Sequence, residues 1–181
     1  MKRNWKTLKS KTVYKNKWLS VIEDDVITPG GHKGIYGYLD KSSGIYIIAE
    51  DSDGSIFLIK EYRYVLKEVI TQIQSGTMNS DDFTSEAKRE LEEETGIIAG
   101  NITYLGDFYM APGHETTKAV VVLATDLDVS NLKTDDQDSD ESIMEIFKVN
   151  IEDLKKLLLE GKIKCGITIA ALNLYFLYRK L

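Results

Sequence analysis

Residues 89–96 read RELEEETG: Arg89, four glutamates among the next five residues, then Thr95 and Gly96. Glutamate and leucine favour helix and the glycine is a ready stop, so the pattern predicts a helix over 82–95. With Phe83 at the origin, 100° per residue puts Ala87 at about 40° and Leu91 at about 80°, which defines the apolar face. Lys88 at about 140° and Glu92 at about 180° point away from it, as solvated charges do. Glu94, at about 20°, falls inside the apolar arc. Glu90 at about 340° lies at its edge, and Glu93 at about 280° shares a flank with Glu86 at about 300°. Carboxylates stacked one turn apart repel, and partial burial makes each charge costlier. A divalent cation reverses both penalties, because hard cations such as Mg²⁺ take oxygen ligands. A solvated acidic helix whose edge is still wetted gives the same pattern, and the wheel alone leaves both open.

Outward from this helix the periodicity changes. Upstream, WLSVIEDDVITP, GIYGYLD, GIYIIAE and SIFLIKEYRY are strand-like, with turns at Pro29-Gly30-Gly31 and at Asp53-Gly54. IYIIAE and SIFLIKEY, separated by DSDG, read as a β-hairpin. Downstream, NITYLGDFYM, KAVVVLAT and SIMEIFKV are strands. Two helices end the chain: one capped by Asn150, with Asp153 as the capping-box acid and Gly161 as its stop, and one over about 167–179. Strands, a central helix, more strands and then helices predict an α/β (α+β) fold, a mixed sheet covered by helices, rather than a doubly wound parallel sheet.

With 181 residues and 43% apolar content the chain can bury one core, and a net charge of −6 argues against a general nucleic-acid binder. Charge is unevenly placed. The first seventeen residues hold seven Lys or Arg and no acid, while DDQDSDE at 135–141 is almost wholly acidic; either reads as a solvated surface segment. A lone Cys165 makes no internal disulfide, which together with the lack of a signal peptide and of a membrane-length apolar run predicts a soluble cytoplasmic protein with no membrane partner. His32 and His114 lack metal-ligand spacing.

RELEEETGI resembles the second half of the Nudix hydrolase signature, matched at Arg89, Glu90, Leu91, Glu93, Glu94, Gly96 and Ile97, with Gly76 as the leading glycine. One residue fewer separates Gly76 from Arg89 than the family pattern has, and the upstream acid that orients the arginine would be Asp81 or Asp82. The order of segments is similar to the ADP-ribose pyrophosphatase branch over most of the chain, and Pro112 stands sixteen residues beyond Gly96 as that branch's proline does. A departure is QIQSG at 72–76, where the branch has Glu-Leu-Pro-Ala-Gly: Gln72 replaces the glutamate and Gln74 the proline.

The resemblance implies a Nudix-type α/β/α sandwich with a mixed sheet over 41–181, preceded over 1–40 by an antiparallel β-strand appendage that serves dimerisation and base binding. It makes Glu90 and Glu94 metal ligands, Glu93 a further ligand or the base, and the backbone carbonyl of Ser75 or Gly76 a completing ligand. Arg89 holds the ligands in place, and Glu141, from the acidic patch, is a second candidate for the base. Arg63 suits a diphosphate, since a guanidinium binds phosphate oxygens in pairs. Trp18, Trp5 and Tyr36 are candidates to stack on the base, although a tryptophan among strands is more often core, and Pro112 lies on the substrate side. The implied activity is Mg²⁺-dependent hydrolysis, with Mn²⁺ as a possible substitute, of the diphosphate of ADP-ribose or a related nucleoside diphosphate sugar by a homodimer. The alternatives are a catalytically weakened domain acting as a nucleotide sensor, or hydrolysis of another nucleoside diphosphate derivative.

Overall fold

The computed structural model describes residues 4–133 and 143–181, which fall into two compact units. The first comprises the chain up to residue 43 together with 109–118. It is an antiparallel sheet of β1 (Lys6–Lys15), β2 (Ser20–Ile27) and β3 (Lys33–Asp40) in that order. Residues Lys6–Lys15 of the basic run thus form an edge strand, exposed along its whole length. It pairs because its lysines face the acids of β2: Lys9 is in register with Asp25 and Lys11 with Glu23, whose carboxylate lies 2.7 Å from the Lys11 ammonium. Segment 109–118 closes on β3, with Leu39 N–H donating to the His114 carbonyl at 2.8 Å and the Tyr36 hydroxyl donating to the Gly113 carbonyl at 3.0 Å.

The second unit holds the larger sheet. β4 (Gly44–Glu50) and β5 (Ile56–Arg63) form the expected hairpin only at its turn end, Ala49 opposite Phe57 and Glu50 opposite Ile56. Beyond that they part, and the returning chain fills the gap: β6 (Glu68–Gln72) pairs with β5, and β7 (Gln74–Thr77) pairs with β4. β8 (Ile98–Tyr109), β9 (Lys118–Asp128) and β10 (Ile143–Val149) complete the order β10-β5-β4-β9-β8, in which β4 and β9 are parallel and β10 and β5 antiparallel.

Helices cover both faces. The helix α1 (Phe83–Thr95) buries Ala87 and Leu91 against Ile45, Ile47, Ala49 and Val122. On the other face, α2 (Ile151–Leu159) and α3 (Gly166–Arg179) bury Leu154, Leu172 and Tyr175 against Ile48, Leu58, Val121 and Leu123. Alternate residues of GIYIIAE thus feed opposite cores, as a strand buried on both sides must. This is the mixed-sheet α/β/α sandwich with an antiparallel N-terminal sheet that the sequence leads one to expect.

The split between β4 and β5 leaves backbone groups without a ladder partner, and side chains supply the bonds. Gln74 Nε2 donates to the Phe57 carbonyl at 3.3 Å, and Ile73 N–H donates to Thr168 Oγ1 on α3 at 3.3 Å. Thr168 is fully buried, so the nearly isosteric change Thr168→Val strands the Ile73 N–H. The expected cost is about 1–3 kcal/mol, read as a lowered urea midpoint with unchanged slope; an unshifted midpoint would show that the bond contributes nothing.

Candidate active site

α1 is held at both ends. Asp82 caps it by accepting from the Thr84 and Ser85 N–H groups at 3.1 and 3.2 Å, and Gly96 leaves it in the left-handed conformation (φ 75°). Between these ends β7 runs against the helix. Ser75 N–H donates to Glu94 Oε2 at 3.1 Å, and the Glu90 side chain lies so close over Gly76 that an added Cβ would collide with it. Glu90 and Glu94, one turn apart, are therefore both pressed onto the same short strand. The wheel placed Glu94 among the apolar residues, and it is 7% exposed.

The end of β5 brings Glu61 and Arg63 to the opposite wall. Together with Ser75, Gly76, Glu90 and Glu94 they line a cleft of about 340 Å³. Of the residues singled out from the sequence, the structure thus unites Arg63, Ser75, Gly76, Glu90 and Glu94. Sequence reasoning missed Glu61, yet the alternation of a strand puts it on the same side as Arg63, two residues on.

Arg89 anchors the acidic face of α1. Its guanidinium donates to Glu86 at 2.7 Å, Glu90 at 2.6 Å and Glu93 at 2.7 Å. The orienting acid is thus Glu86, not Asp81 or Asp82; Asp82 is engaged as the helix cap. Arg89, foremost through its bond to Glu86, is held protonated even more firmly than an ordinary arginine. Arg89, and then the Ser80 hydroxyl at 2.9 Å, hold the Glu86 carboxyl below its ordinary range. A lowered folded value means stability that is present above the unfolded carboxylate value and lost as pH falls through the folded one. Glu86→Gln should accordingly lower the melting temperature by a constant amount at neutral and alkaline pH and converge with wild type in acid, so that the acid limb is flatter; parallel curves for both proteins would contradict this.

Other candidates stand elsewhere. The Glu93 side chain is 59% exposed and turned to Arg89, and it does not line the cleft. Glu141 lies outside the described residues. In the N-terminal unit, Trp5 and Tyr36 meet edge-to-face at 5.4 Å and, with Asp24, Val26 and Tyr38, line a hollow of about 380 Å³. Trp18 is not core: it is 70% exposed beside the β1–β2 turn, with the Lys17 ammonium 4.2 Å from its ring centre, and it does not line that hollow. Pro112 precedes the glycine whose carbonyl receives the Tyr36 hydroxyl.

Two family models divide the chain: the nucleoside diphosphate sugar hydrolase N-terminal domain matches residues 5–39, and the NUDIX domain matches residues 40–165. The chain belongs to the Nudix hydrolases. It is similar to the ADP-ribose pyrophosphatase of Bacillus subtilis (strain 168), 30% identical over 84% of this chain and 82% of that protein. It is also similar to the ADP-ribose pyrophosphatase of Mycobacterium tuberculosis, 27% identical over 92% of this chain and 81% of that one. A GDP-mannose pyrophosphatase of Yersinia pestis is 26% identical over 74% and 71% of the two chains. Among solved structures, an ADP compounds hydrolase superposes with a TM-score of 0.82 over 97% of this chain and 94% of that one, at 22% identity, a likeness of fold. α1 lies within the matched NUDIX domain, and this Nudix enzyme is placed by its matches in the ADP-ribose and nucleoside diphosphate sugar hydrolase group.

Proposed function

We propose that this Nudix hydrolase cleaves the diphosphate linkage of ADP-ribose or a related nucleoside diphosphate sugar, releasing a nucleoside monophosphate and a sugar phosphate, with Mg²⁺ as cofactor and Mn²⁺ able to replace it. The observation that carries this reading is the convergence of Glu90 and Glu94 with Arg63 on one cleft. The donors suit a hard cation: two nearly buried carboxylates one helical turn apart, beside the backbone of Ser75 and Gly76. Among the described residues no three His, Cys, Asp or Glu side chains form a closed cage, and Mg²⁺ ordinarily takes one or two carboxylates and shares the rest of its shell with water and phosphate oxygens. When bound, such a cation neutralises diphosphate charge, lowers the pKa of water and stabilises the leaving phosphate.

The chain's own residues do the remaining work. Glu90 and Glu94 hold the cation, with Ser75 N–H fixing Glu94 and Arg89 fixing Glu90. Arg63 binds the diphosphate by its guanidinium. Water attacks one phosphorus as the bridging P–O bond breaks, and a carboxylate, Glu93 or Glu141, takes the water's proton. The Trp5–Tyr36 hollow, with Pro112 nearby in the chain segment that holds Tyr36, is the aromatic surface offered to the base, and Trp18 is a further one at the sheet's end. Leu8, Val13 and Tyr14, each at least half exposed on β1, support a homodimer through the N-terminal sheet. A cytoplasmic setting belongs to the same reading, and among the described residues no helix is long and apolar enough to cross a membrane.

The test is incubation with Mg²⁺ and a panel of ADP-ribose, ADP-glucose, GDP-mannose and UDP-glucose, followed by chromatography of the products. Turnover of at least one, abolished by EDTA, is expected. Saturable binding with no turnover even in Mn²⁺ would replace the enzyme by a nucleotide sensor.

A further inference from the structure

The Arg63 guanidinium is held at two of its three nitrogens. Its Nη1 pairs with Glu61 Oε1 at 2.8 Å and its Nε donates to Gln72 Oε1 at 3.3 Å, while Gln72 Nε2 donates to Glu61 Oε2 at 2.8 Å. The three side chains close a ring, with one Glu61 carboxylate oxygen in ion-pair contact with Arg63 and the other accepting from Gln72. Among the described residues Nη2 donates to no protein acceptor, and Arg63 keeps 41% of its side-chain surface while Glu61 keeps 15%. A planar guanidinium held at two nitrogens presents the third, with its two N–H donors, in a set direction, and those donors can meet phosphate oxygens.

We propose that Glu61 and Gln72 are positioning residues that fix Arg63 through its Nε and Nη1 and turn its Nη2 to a diphosphate in the cleft. The proposal rests on the hydrolase reading given above. It also explains why an amide stands at 72, where the resemblance leads one to expect a glutamate. Gln72 is 2% exposed and must accept from Arg63 and donate to Glu61 at once, which an amide does and an ionised carboxylate cannot. A second carboxylate there would sit against that of Glu61 in a buried place, where like charges repel strongly. The negative charge of the clamp is carried on β5, and its neutral, two-way member on β6.

The arrangement predicts which changes are reversible. Glu61→Gln leaves two amides and no ion pair; Gln72→Glu leaves two facing carboxylates. The double variant Glu61→Gln/Gln72→Glu restores one carboxylate and one amide with their mutual hydrogen bond. Arg63→Lys keeps the charge and loses the fork, so nothing at 61 or 72 should rescue it.

The experiment is calorimetric titration of the full chain with methylenediphosphonate, in Mg²⁺ and separately in EDTA, beside the kcat and KM of any substrate turned over. Expected are about tenfold weaker diphosphonate binding by Glu61→Gln in both media, a KM raised by a similar factor with kcat within threefold, and recovery to within threefold in the double variant. A folded Glu61→Gln variant that binds as wild type does, absence of diphosphonate binding by wild type, or a double variant worse than both single ones overturns the clamp. Loss confined to the Mg²⁺ arm also overturns it, because Glu61 would then act through the cation. Turnover of nothing in the substrate panel sinks the hydrolase reading instead, and the EDTA titration still decides the clamp. Should Gln72→Glu fail to fold alone, the isosteric Glu61→Gln and Arg63→Lys carry the comparison.

Discussion

Glu94→Gln should lower kcat/KM on the order of a thousand-fold while leaving the fold intact, a loss of the size seen when one preorganised electrostatic partner of a transition state is removed. The geometry separates the two effects. Glu94 is nearly buried, and one of its oxygens accepts from Ser75 N–H, a bond that a glutamine oxygen can equally accept. Shape and hydrogen bond survive; the negative charge does not. In the metal-free protein that charge is a burden, because it lies one turn from Glu90 in a place of little solvent. The variant should therefore unfold at the same or a slightly higher temperature than wild type without metal. Mg²⁺ should raise the melting temperature of wild type and do so far less for the variant, since only a ligand of the native state stabilises it by mass action. Undiminished turnover, or an equal response to Mg²⁺ in both proteins, would remove Glu94 from the metal site.

Gly76→Ala should damage both stability and activity. The position has no positive φ, so the demand for glycine is one of space: a Cβ there would strike the carboxyl end of Glu90. Glu90 cannot simply swing aside, because Arg89 holds its carboxylate at 2.6 Å and also binds Glu86 and Glu93. The overpacking is expected to cost about 1–3 kcal/mol, and the displaced Glu90 carboxylate most of the activity. A double-mutant cycle isolates the cause. In a Glu90→Ala background the alanine at 76 meets open space, so its stability cost should largely vanish. Equal costs in both backgrounds would place the strain in the backbone.

Much of the site's acidic half was legible in the chain. The wheel separated Glu92, which is exposed, from Glu90 and Glu94, which face the cleft, because a helix repeats its direction every few residues and its apolar face is readable from Ala87 and Leu91. The same wheel grouped Glu93 with Glu90 and Glu94 on the cleft side, whereas the folded chain turns it to Arg89 and it does not line the cleft. The acid that orients Arg89 was not legible: Asp81 and Asp82 stand nearer the place the resemblance gives it, and only the folded helix shows that Asp82 serves the backbone and Glu86 the arginine. The aromatic candidates were no more legible. Trp5, Trp18 and Tyr36 are similar by composition, yet only Trp5 and Tyr36 meet.

By itself the sequence determined the elements and their faces: the strands, the helix capped by Asn150, the glycines that follow α1 and α2, and the row of carboxylates. These depend on local periodicity and on backbone preferences that act within a turn or two. Tertiary structure decided what meets across distance. The parting of β4 and β5 admits β6 and β7 between them, which lays Gly76 beneath Glu90 and carries Gln72 to Glu61 and Arg63. Strand pairing of this kind is set by cores on both faces of a sheet and by bonds between residues far apart in the chain, and no local pattern of side chains encodes it.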